Sequence, residues 1–444
     1  MAVSPARGAA FDILFRVEQE GSYASELLHS PSSSRLSPAD HRLATELVMG
    51  VLRWCSVLDQ HIAQHSSQKL ARLDAEVLTT LRLAAYQLLF LDRVPERAAV
   101  HESVELVKRA RKRSAVPFVN AVLRKLAGTG KQNTADEISV ASTSSELAER
   151  SAHPQWLVER WIEKYGLDVA RQICAYNQQI PETTVRIPDT ATLNELKQAK
   201  IQLSPGKLLA SAYRVVFGDV TSTPAFREGR VIIQDEASQL VALLVGEGRN
   251  ILDCCAAPGG KTRVLAQQNP RANIFAVDLH PHRARLLREL VTASNVHVMA
   301  ADARNLPLGN QVDRVLVDVP CSGTGTLGRN PDIKWRIKPD DLADLQGRQT
   351  AILLSAMQCV APGGKLVYST CSLEEEENAQ VVEKAMAADR TFRLLDCAAE
   401  LDRLRSQGEF VWNTADSLTC GPYLRTLPGV HPCEGFFAAV LQKN

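Results

Sequence analysis

Two cysteines and an aspartate have the residue types and the spacing that nucleophilic chemistry needs. Asp318-Val-Pro-Cys321 ends one short apolar run, and Cys371 follows another that ends in Tyr368-Ser369. In a doubly wound sheet the loops after such runs can lie side by side, so both thiols can face one pocket. A lone cysteine is usually a small buried hydrophobe, but two at strand ends beside a carboxylate favour a catalytic site.

Methylation of carbon 5 of a pyrimidine is the chemistry that requires this set. Carbon 5 is a poor nucleophile until a thiolate adds to carbon 6 and turns the ring into an enamine. A base must then remove the proton from carbon 5, and the thiol must leave. A carboxyl group at ring N3 and the exocyclic amine would favour the addition, and Asp318 is the candidate. This chemistry does not choose which cysteine attacks.

The residues after Cys371 predict a helix start. Ser372-Leu-Glu-Glu375 has the pattern of a capping box, and a helix N-terminus lowers the pKa of a nearby thiol. The acidic run Glu374-Glu-Glu-Glu377 opposes that effect, so we do not expect a strongly depressed thiol pKa. Most of these glutamates are predicted to be favourable charges in a first helical turn.

A glycine loop after the first apolar run predicts a nucleoside-binding site. Residues 253–262 carry two glycines, which let the backbone approach a ligand closely. The loop is not a P-loop, because Cys255 stands where that motif needs glycine. Asp278 and Asp302 end the next two runs, where acids can meet a ribose and an adenine edge. Acids rather than cations favour S-adenosylmethionine over a triphosphate.

The elements that position these residues are predicted as a multidomain chain. Residues 231–444 alternate helical stretches with short apolar runs that begin at 250, 273, 297, 314 and 365, which indicates an α/β Rossmann-like, doubly wound parallel sheet. Residues 1–127 show apolar steps of three and four, typical of an all-α helical bundle. Residues 128–148 are small and polar and predict a linker, and residues 149–230 predict a small α+β module.

Four segments in this order resemble the signature blocks of the RNA (cytosine-5) methyltransferases of the Nol/Nop/Sun family. They are residues 253–262, 318–325, 329–335 and 368–372. The stretch 1–127 is similar to the NusB-type helical RNA-binding domain, through segments 94–107 and 118–126. The layout is similar to that of bacterial 16S rRNA methyltransferases, and it implies a class I methyltransferase domain that uses S-adenosylmethionine.

The resemblance also implies roles for individual positions. It makes Cys371 the nucleophile and gives Cys321 a part in releasing the methylated product, and it implies that Asp318 serves both the cofactor and the cytosine. It places Arg329 and Lys334 at the RNA. The implied cofactor-binding residues are Cys255, Ala256, Ala257, Pro258, Gly259, Gly260, Lys261, Asp278, Asp302 and Asp318.

The charge distribution points to an RNA surface in the first part of the chain. The net charge is only +1, yet residues 1–130 hold 17 basic against 13 acidic residues. Five cations occupy the six positions from 108 to 113, more than a helix C-terminus requires. The predicted phosphate contacts are Lys108, Arg109, Arg111, Lys112 and Arg113.

The remaining composition predicts a cytoplasmic protein without membrane or metal partners. Ten cysteines form no CxxC pair or metal-ligand cluster, and no apolar stretch is long enough to span a bilayer. We expect free thiols, a monomer, and 16S rRNA or an assembling small subunit as the partner. The alternatives are a tRNA or DNA cytosine-5 methyltransferase, and a non-catalytic NusB-type RNA-binding protein. A binding protein would not need Asp318 and two thiols together.

Overall fold

The computed structural model describes residues 3–132, 134–309 and 311–444. Met1, Ala2, Asn133 and Asn310 fall within predicted segments but lie outside the described residues. The chain divides into two compact units. The helical unit comprises Met1–Ile180 with Leu327–Arg336, and the sheet unit comprises Pro181–Thr326 with Ile337–Asn444.

Amphipathic helices build the helical unit, as the apolar spacing predicted. Ser37 begins the longest helix by accepting a hydrogen bond from the Asp40 amide at 3.1 Å. Leu47, Leu58 and Leu81 are fully buried in the core of the helical unit. The helices are α1 (Pro5–Gln19), α2 (Ala24–Leu28), α3 (Pro38–His65), α4 (Ala75–Phe90), α5 (Glu96–Arg109), α6 (Val116–Ala127), α7 (Thr134–Ser139), α8 (Ser144–Arg150), α9 (Gln155–Tyr165) and α10 (Leu167–Asn177).

The predicted linker at 128–148 is wrong, because α7 and most of α8 lie inside it. Ile138 and Leu147 are 2% and 0% exposed, so this stretch contributes to a core despite its polar composition. The structure divides its two compact units after residue 180, whereas the sequence predicted the module from 149. Residues 149–180 belong to the helical unit and not to the α+β module.

The α+β module therefore begins near residue 181. It is an antiparallel sheet in the order β2-β3-β1-β4 with two helices. Val185, Leu196 and Val231 form part of its buried cluster. Its elements are β1 (Thr184–Arg186), α11 (Thr190–Gln198), β2 (Gln202–Pro205), β3 (Ala212–Phe217), α12 (Pro224–Arg227) and β4 (Ile232–Ile233).

The rest of the chain forms a second, larger sheet and the helices between its strands. The short helix at 333–336 belongs to the helical unit instead. Its elements in chain order are α13 (Glu236–Leu244), β5 (Asn250–Cys254), α14 (Gly260–Gln268), β6 (Asn273–Asp278), α15 (Pro281–Leu290), β7 (Val296–Ala300), β8 (Val312–Asp318), α16 (Ile333–Arg336), α17 (Asp341–Cys359), β9 (Val360–Thr370), α18 (Ala379–Ala388), β10 (Phe392–Leu395), α19 (Cys397–Ser406), β11 (Thr419–Cys420), β12 (Tyr423–Arg425) and β13 (Phe437–Lys443).

The prediction of five parallel strands is confirmed. They run in the order β7-β6-β5-β8-β9, and the antiparallel β13, β12 and β11 extend that edge. The order reverses between β5 and β8, the point where open α/β sheets bind ligands beyond the carboxyl ends of their strands. Among the described residues, no helix has the length and apolar character needed to cross a bilayer.

Candidate active site

The glycine loop connects β5 to α14 at the carboxyl edge of the sheet. Cys255 and Gly259 take positive φ angles of 58° and 108°, a conformation that only glycine adopts at little cost. A side chain at Gly259 would also collide with α15, because its Cβ would lie 2.6 Å from Leu287 Cδ1 and Val291 Cγ2. The backbone amide of Ala256 donates to Val277 O at 2.8 Å and ties the loop to β6.

Acidic side chains line the strand ends next to this loop. Asp278 is 3% exposed and accepts hydrogen bonds from the amides of His280 at 3.1 Å and Ala257 at 3.3 Å. Asp302 is more open and pairs with Arg304 at 2.6 Å. The structure thus places both predicted acids at the ends of β6 and β7, with Asp278 held against the loop itself.

Asp253 is an acid of this edge for which no role was predicted. Its Oδ2 accepts a 2.6 Å hydrogen bond from Thr262 Oγ1, while its buried Oδ1 has no hydrogen-bond partner among the described residues. Burial raises the pKa of Asp253 to about 7. The unpartnered oxygen beneath the loop is a polar atom that a ligand or a proton could satisfy.

The two predicted catalytic cysteines meet at this edge. Cys321 follows β8 and Cys371 follows β9, and the two strands pair in parallel with Asp318 opposite Ser369. The two Sγ atoms are 3.3 Å apart, farther than the ~2.05 Å of a disulfide bond, so both are free thiols. The hydrogen bond to Cys371 and burial raise the pKa of Cys321 well above the usual thiol value.

Asp318 is held from two sides beside the thiols. Lys261 Nζ donates to its Oδ2 at 2.8 Å, and Ser369 Oγ donates to its Oδ1 at 2.7 Å. Burial disfavours the Lys261 cation, but the attraction of Asp318 outweighs it and raises the pKa of Lys261. The lysine of the glycine loop therefore orients a carboxylate, which is unlike the phosphate-binding lysine of a P-loop.

The predicted capping box after Cys371 does not form. Glu375–Glu377 is a short 3₁₀ helix, and α18 begins only at Ala379. Cys371 is therefore not at the N-terminus of an α-helix. Nor is Glu377 a favourable charge in a first turn, since it is fully buried. Four consecutive glutamates gave no signal that two of them, Glu374 and Glu377, are buried.

Lys334, which was predicted to contact RNA, lies inside the helical unit. Its side chain is 1% exposed, and Nζ donates to the Arg53 carbonyl at 2.8 Å. Its neighbour Trp335 donates through Nε1 to Leu52 O at 2.7 Å. Burial lowers the pKa of Lys334 to about 7. A buried amine with a backbone partner does not present a cation to phosphate, so the predicted contact at Lys334 is corrected. Arg329 is half-buried.

Lys334→Met is expected to remove a pH dependence from the stability of the helical unit. The folded-state pKa lies below the ordinary value of 10.5, so the unfolded chain binds more protons between about 7 and 10.5. Stability should therefore rise with pH across this window, by up to roughly 1.4 kcal/mol per pH unit. Arg53 O keeps a partner in the variant, because Gln178 Nε2 also donates to it at 3.2 Å.

Urea unfolding at pH 7, 8 and 9, followed by tryptophan fluorescence, measures this slope. Four of the five tryptophans lie in the helical unit, at 54, 156, 161 and 335. The exposed Lys338→Met is the matched control and should keep the wild-type slope. Equal slopes in the wild type and Lys334→Met would show that Lys334 is not the group responsible.

The basic run between α5 and α6 is less free than its sequence indicates. Lys108 pairs with Glu105 at 2.7 Å, Arg109 with Asp12 at 2.6 Å, and Lys112 with Asp74 at 3.1 Å. Arg111 and Arg113 are exposed, and within the described part of the chain neither has an acidic partner. These two arginines are the cations of the run most available to an RNA phosphate.

Family models match three consecutive parts of the chain. "16S rRNA methyltransferase RsmB/F" matches residues 240–442, "NusB family" matches residues 4–128, and "Methyltr_RsmF/B-like, ferredoxin-like domain" matches residues 153–216. The predicted combination of a NusB-like part, an α+β module and a methyltransferase domain is confirmed. The ferredoxin-like match begins within residues that the structure places in the helical unit.

Curated relatives match the chain over most of its length. It is 35% identical to "Probable ribosomal RNA small subunit methyltransferase B" of Bacillus subtilis, over 86% of this chain and 88% of that protein. It is 33% identical to "Ribosomal RNA small subunit methyltransferase B" of Vibrio cholerae, over 99% of this chain and 97% of that protein.

Solved structures share the fold. The crystal structure of PH0851 superposes with a TM-score of 0.78 at 23% identity, over 99% of both chains. The alignment with the Vibrio cholerae protein spans nearly the whole of both chains. The family assignment therefore rests on sequence as well as on fold. The chain is a methyltransferase and belongs to the RsmB/F family of 16S rRNA methyltransferases.

Proposed function

We propose that this chain methylates carbon 5 of a specific cytosine in 16S rRNA, with S-adenosylmethionine as the methyl donor. The observation that carries the proposal is the pair of free thiols 3.3 Å apart, at the end of the strands that also hold Asp318. Methylation of a ring nitrogen of a base, or of a ribose hydroxyl, would not need a covalent thiol. Two thiols can divide attack and release between them.

The acidic strand ends support S-adenosylmethionine as the cofactor. The polar groups around the glycine loop include Asp278, Asp302 and Asp318 together with loop amides, and the lysine of the loop, Lys261, is already paired with Asp318. Carboxylates suit ribose hydroxyls and the cationic methionine end, whereas they would repel a triphosphate. When bound, this cofactor supplies an electrophilic methyl group.

The side chains divide the work on the cytosine. In the proposal, the Cys371 thiolate forms a bond to carbon 6 while the 5,6 double bond opens and electron density passes through the ring to N3. Asp318 contacts N3 and the exocyclic amine. After carbon 5 has gained the methyl group, Cys321 assists removal of its proton. The electrons of that C–H bond restore the 5,6 double bond, and the bond between Cys371 and carbon 6 breaks. The cytosine must be single-stranded or flipped out to reach the thiols.

Methyl transfer to purified RNAs tests the proposed function. The protein is incubated with methyl-labelled S-adenosylmethionine and separately with 16S rRNA, small-subunit particles and tRNA, and bisulfite sequencing maps the product. Label at one cytosine of 16S rRNA is expected. Label in tRNA alone would favour the tRNA enzyme, and RNA binding without any transfer would favour the non-catalytic alternative.

Arg111 and Arg113 are expected to bind RNA phosphate. Changing both to glutamine should weaken binding and reduce the slope of log affinity against log salt by roughly 1.4 to 1.8, since each phosphate contact contributes ~0.7–0.9. Fluorescence anisotropy at several salt concentrations measures the slope. Changing Lys108 and Lys112 to glutamine is the matched control, because these lysines are paired with acids and should contribute less. If both double variants behave alike, the ion pairs do not decide which cations meet the RNA.

A further inference from the structure

Glu377 is a buried carboxylate at the two cysteine loops, and none of the chemistry above uses it. Its side chain is 0% exposed. Its Oε1 accepts hydrogen bonds from the Ser322 amide at 2.7 Å and from Gln349 Nε2 at 2.8 Å. Its Oε2 accepts from the hydroxyls of Ser322 and Ser372. Both carboxylate oxygens are thus satisfied by two donors each.

The absence of a counter-ion makes this carboxylate unusual. Within the part of the chain that the structure describes, no lysine or arginine pairs with Glu377, and neutral donors alone compensate its charge. A buried charge without a cation carries a desolvation cost that an apolar or amide side chain of the same size would avoid. Proteins commonly retain such an unfavourable buried group at sites whose geometry must be fixed.

The donors of Glu377 come from both cysteine loops. Ser322 directly follows Cys321, and Ser372 directly follows Cys371. One carboxylate therefore holds the residue next to each thiol, across 55 and 5 positions of sequence. Gln349, on α17, connects Glu377 to the Cys321 loop a second time, because its Nε2 also donates to Pro320 O at 3.0 Å.

Backbone hydrogen bonds place the same two loops in register. The Gly325 amide donates to Cys371 O at 2.9 Å, and the Leu373 amide donates to Thr324 Oγ1 at 2.9 Å. Glu377 is fixed in turn, because Tyr368 Oη donates to its carbonyl at 2.6 Å. Two sets of contacts therefore join the cysteine loops. One is this pair of backbone-amide hydrogen bonds, and the other is formed by Glu377 with Ser322 and Ser372.

We propose that Glu377 is a positioning residue that holds Cys321 and Cys371 at the separation that the two-thiol reaction requires. The two-thiol reaction in this inference rests on the proposed function. Glu377 touches neither thiol through a hydrogen bond and acts through Ser322 and Ser372. Both attack by Cys371 and release assisted by Cys321 then depend on one buried carboxylate.

Glu377→Gln tests this role with almost no change of shape. Glutamine keeps one acceptor oxygen and replaces the other with an amide NH2 group. At the Oε1 position this group would face the Ser322 N–H, and at the Oε2 position it would remove the acceptor that the Ser322 and Ser372 hydroxyls share. The two loops should then separate, and a displacement of about 1 Å at a reacting group costs roughly 100-fold in rate. Glu375→Gln is the matched control, because Glu375 lies in the same 3₁₀ helix with an exposed side chain.

Two readouts separate positioning from a general structural effect. Phenylarsine oxide binds only to pairs of neighbouring thiols, so mass spectrometry of its capture by Cys321 and Cys371 reports their separation. The rate of covalent trapping on RNA containing 5-fluorocytosine reports the attack. In Glu377→Gln we expect capture to weaken about tenfold or more and trapping to slow by roughly 10- to 100-fold, with the KM for S-adenosylmethionine unchanged. Glu375→Gln should match the wild type.

Wild-type capture and trapping in Glu377→Gln would overturn the proposal. If Glu377→Gln does not fold, Ser322→Ala and Ser372→Ala decide, because each removes one donor and keeps the carboxylate. Loss of capture in both supports positioning, and unchanged capture in both overturns it. Capture needs no methylation. A wild type that captures the reagent but methylates no rRNA would therefore overturn the proposed function alone, while loss of capture in Glu377→Gln would still support the geometric role.

Discussion

Replacing Cys371 with alanine is expected to abolish methyl transfer and covalent trapping together. Under the proposed function Cys371 forms the bond to carbon 6, and without that bond carbon 5 is not nucleophilic. The loss should reach roughly four orders of magnitude or more, as when a covalent nucleophile is removed from other enzymes. Transfer of labelled methyl groups to 16S rRNA measures the first effect, and gel electrophoresis of the protein–RNA adduct measures the second.

A buried cysteine outside the pair provides the control for Cys371→Ala. Cys397 is fully buried and lies at the start of α19, so Cys397→Ala should leave both readouts near the wild-type level. Affinity for the cofactor should stay the same in Cys371→Ala, because Cys371 is not among the residues proposed to hold it. Retention of methyl transfer by Cys371→Ala would remove it from the role of nucleophile.

Replacing Cys321 with alanine is expected to have the opposite effect on the adduct. Cys371 can still attack in this variant, and carbon 5 can still be methylated. If Cys321 assists removal of the carbon-5 proton, the bond to Cys371 then cannot break, and the RNA remains attached to the protein. Multiple turnover should fall by roughly 100- to 10,000-fold, the range for loss of a general acid or base, while about one adduct forms per protein molecule.

The balance between the two variants tests the assignment of the thiols. The geometry alone does not distinguish the roles of the two cysteines, since each follows a parallel strand and their sulfur atoms are 3.3 Å apart. If Cys321→Ala lost activity without an adduct and Cys371→Ala accumulated one, the roles would be reversed. Loss of both adduct and activity in both variants would mean that the thiols act as one unit in the attack.

Local patterns in the sequence were sufficient for the sheet and for the main features of the site. The five apolar runs became β5 to β9, because short β-branched segments between helices favour a parallel sheet in which each strand is buried on both faces. Since parallel strands present their carboxyl ends at one edge, the same reasoning placed Asp318, Cys321 and Cys371 together. The helical N-terminal part followed equally from its apolar spacing.

Polar segments gave errors where distant partners decide their structure. The stretch 128–148 looked like a linker, but Ile138 and Leu147 bury their side chains against neighbouring helices. The Ser372–Glu375 pattern looked like a capping box, but the Ser372 hydroxyl is bound to Glu377 instead. In both cases the local preference was weak, and contacts made elsewhere in the unit outweighed it.

The sequence by itself determined the kind of protein: a helical N-terminal part, a parallel sheet with a glycine loop, and two thiols with a carboxylate at strand ends. Only the tertiary structure decided which charged side chains are buried. Lys334 lies in a core instead of on a surface, and Glu377, one of four consecutive glutamates, holds both cysteine loops. Burial of a charge is decided by hydrogen-bond partners that come from distant parts of the chain. Ser322 lies 55 positions from Glu377, and Arg53 lies 281 positions from Lys334, so no local pattern carries this information.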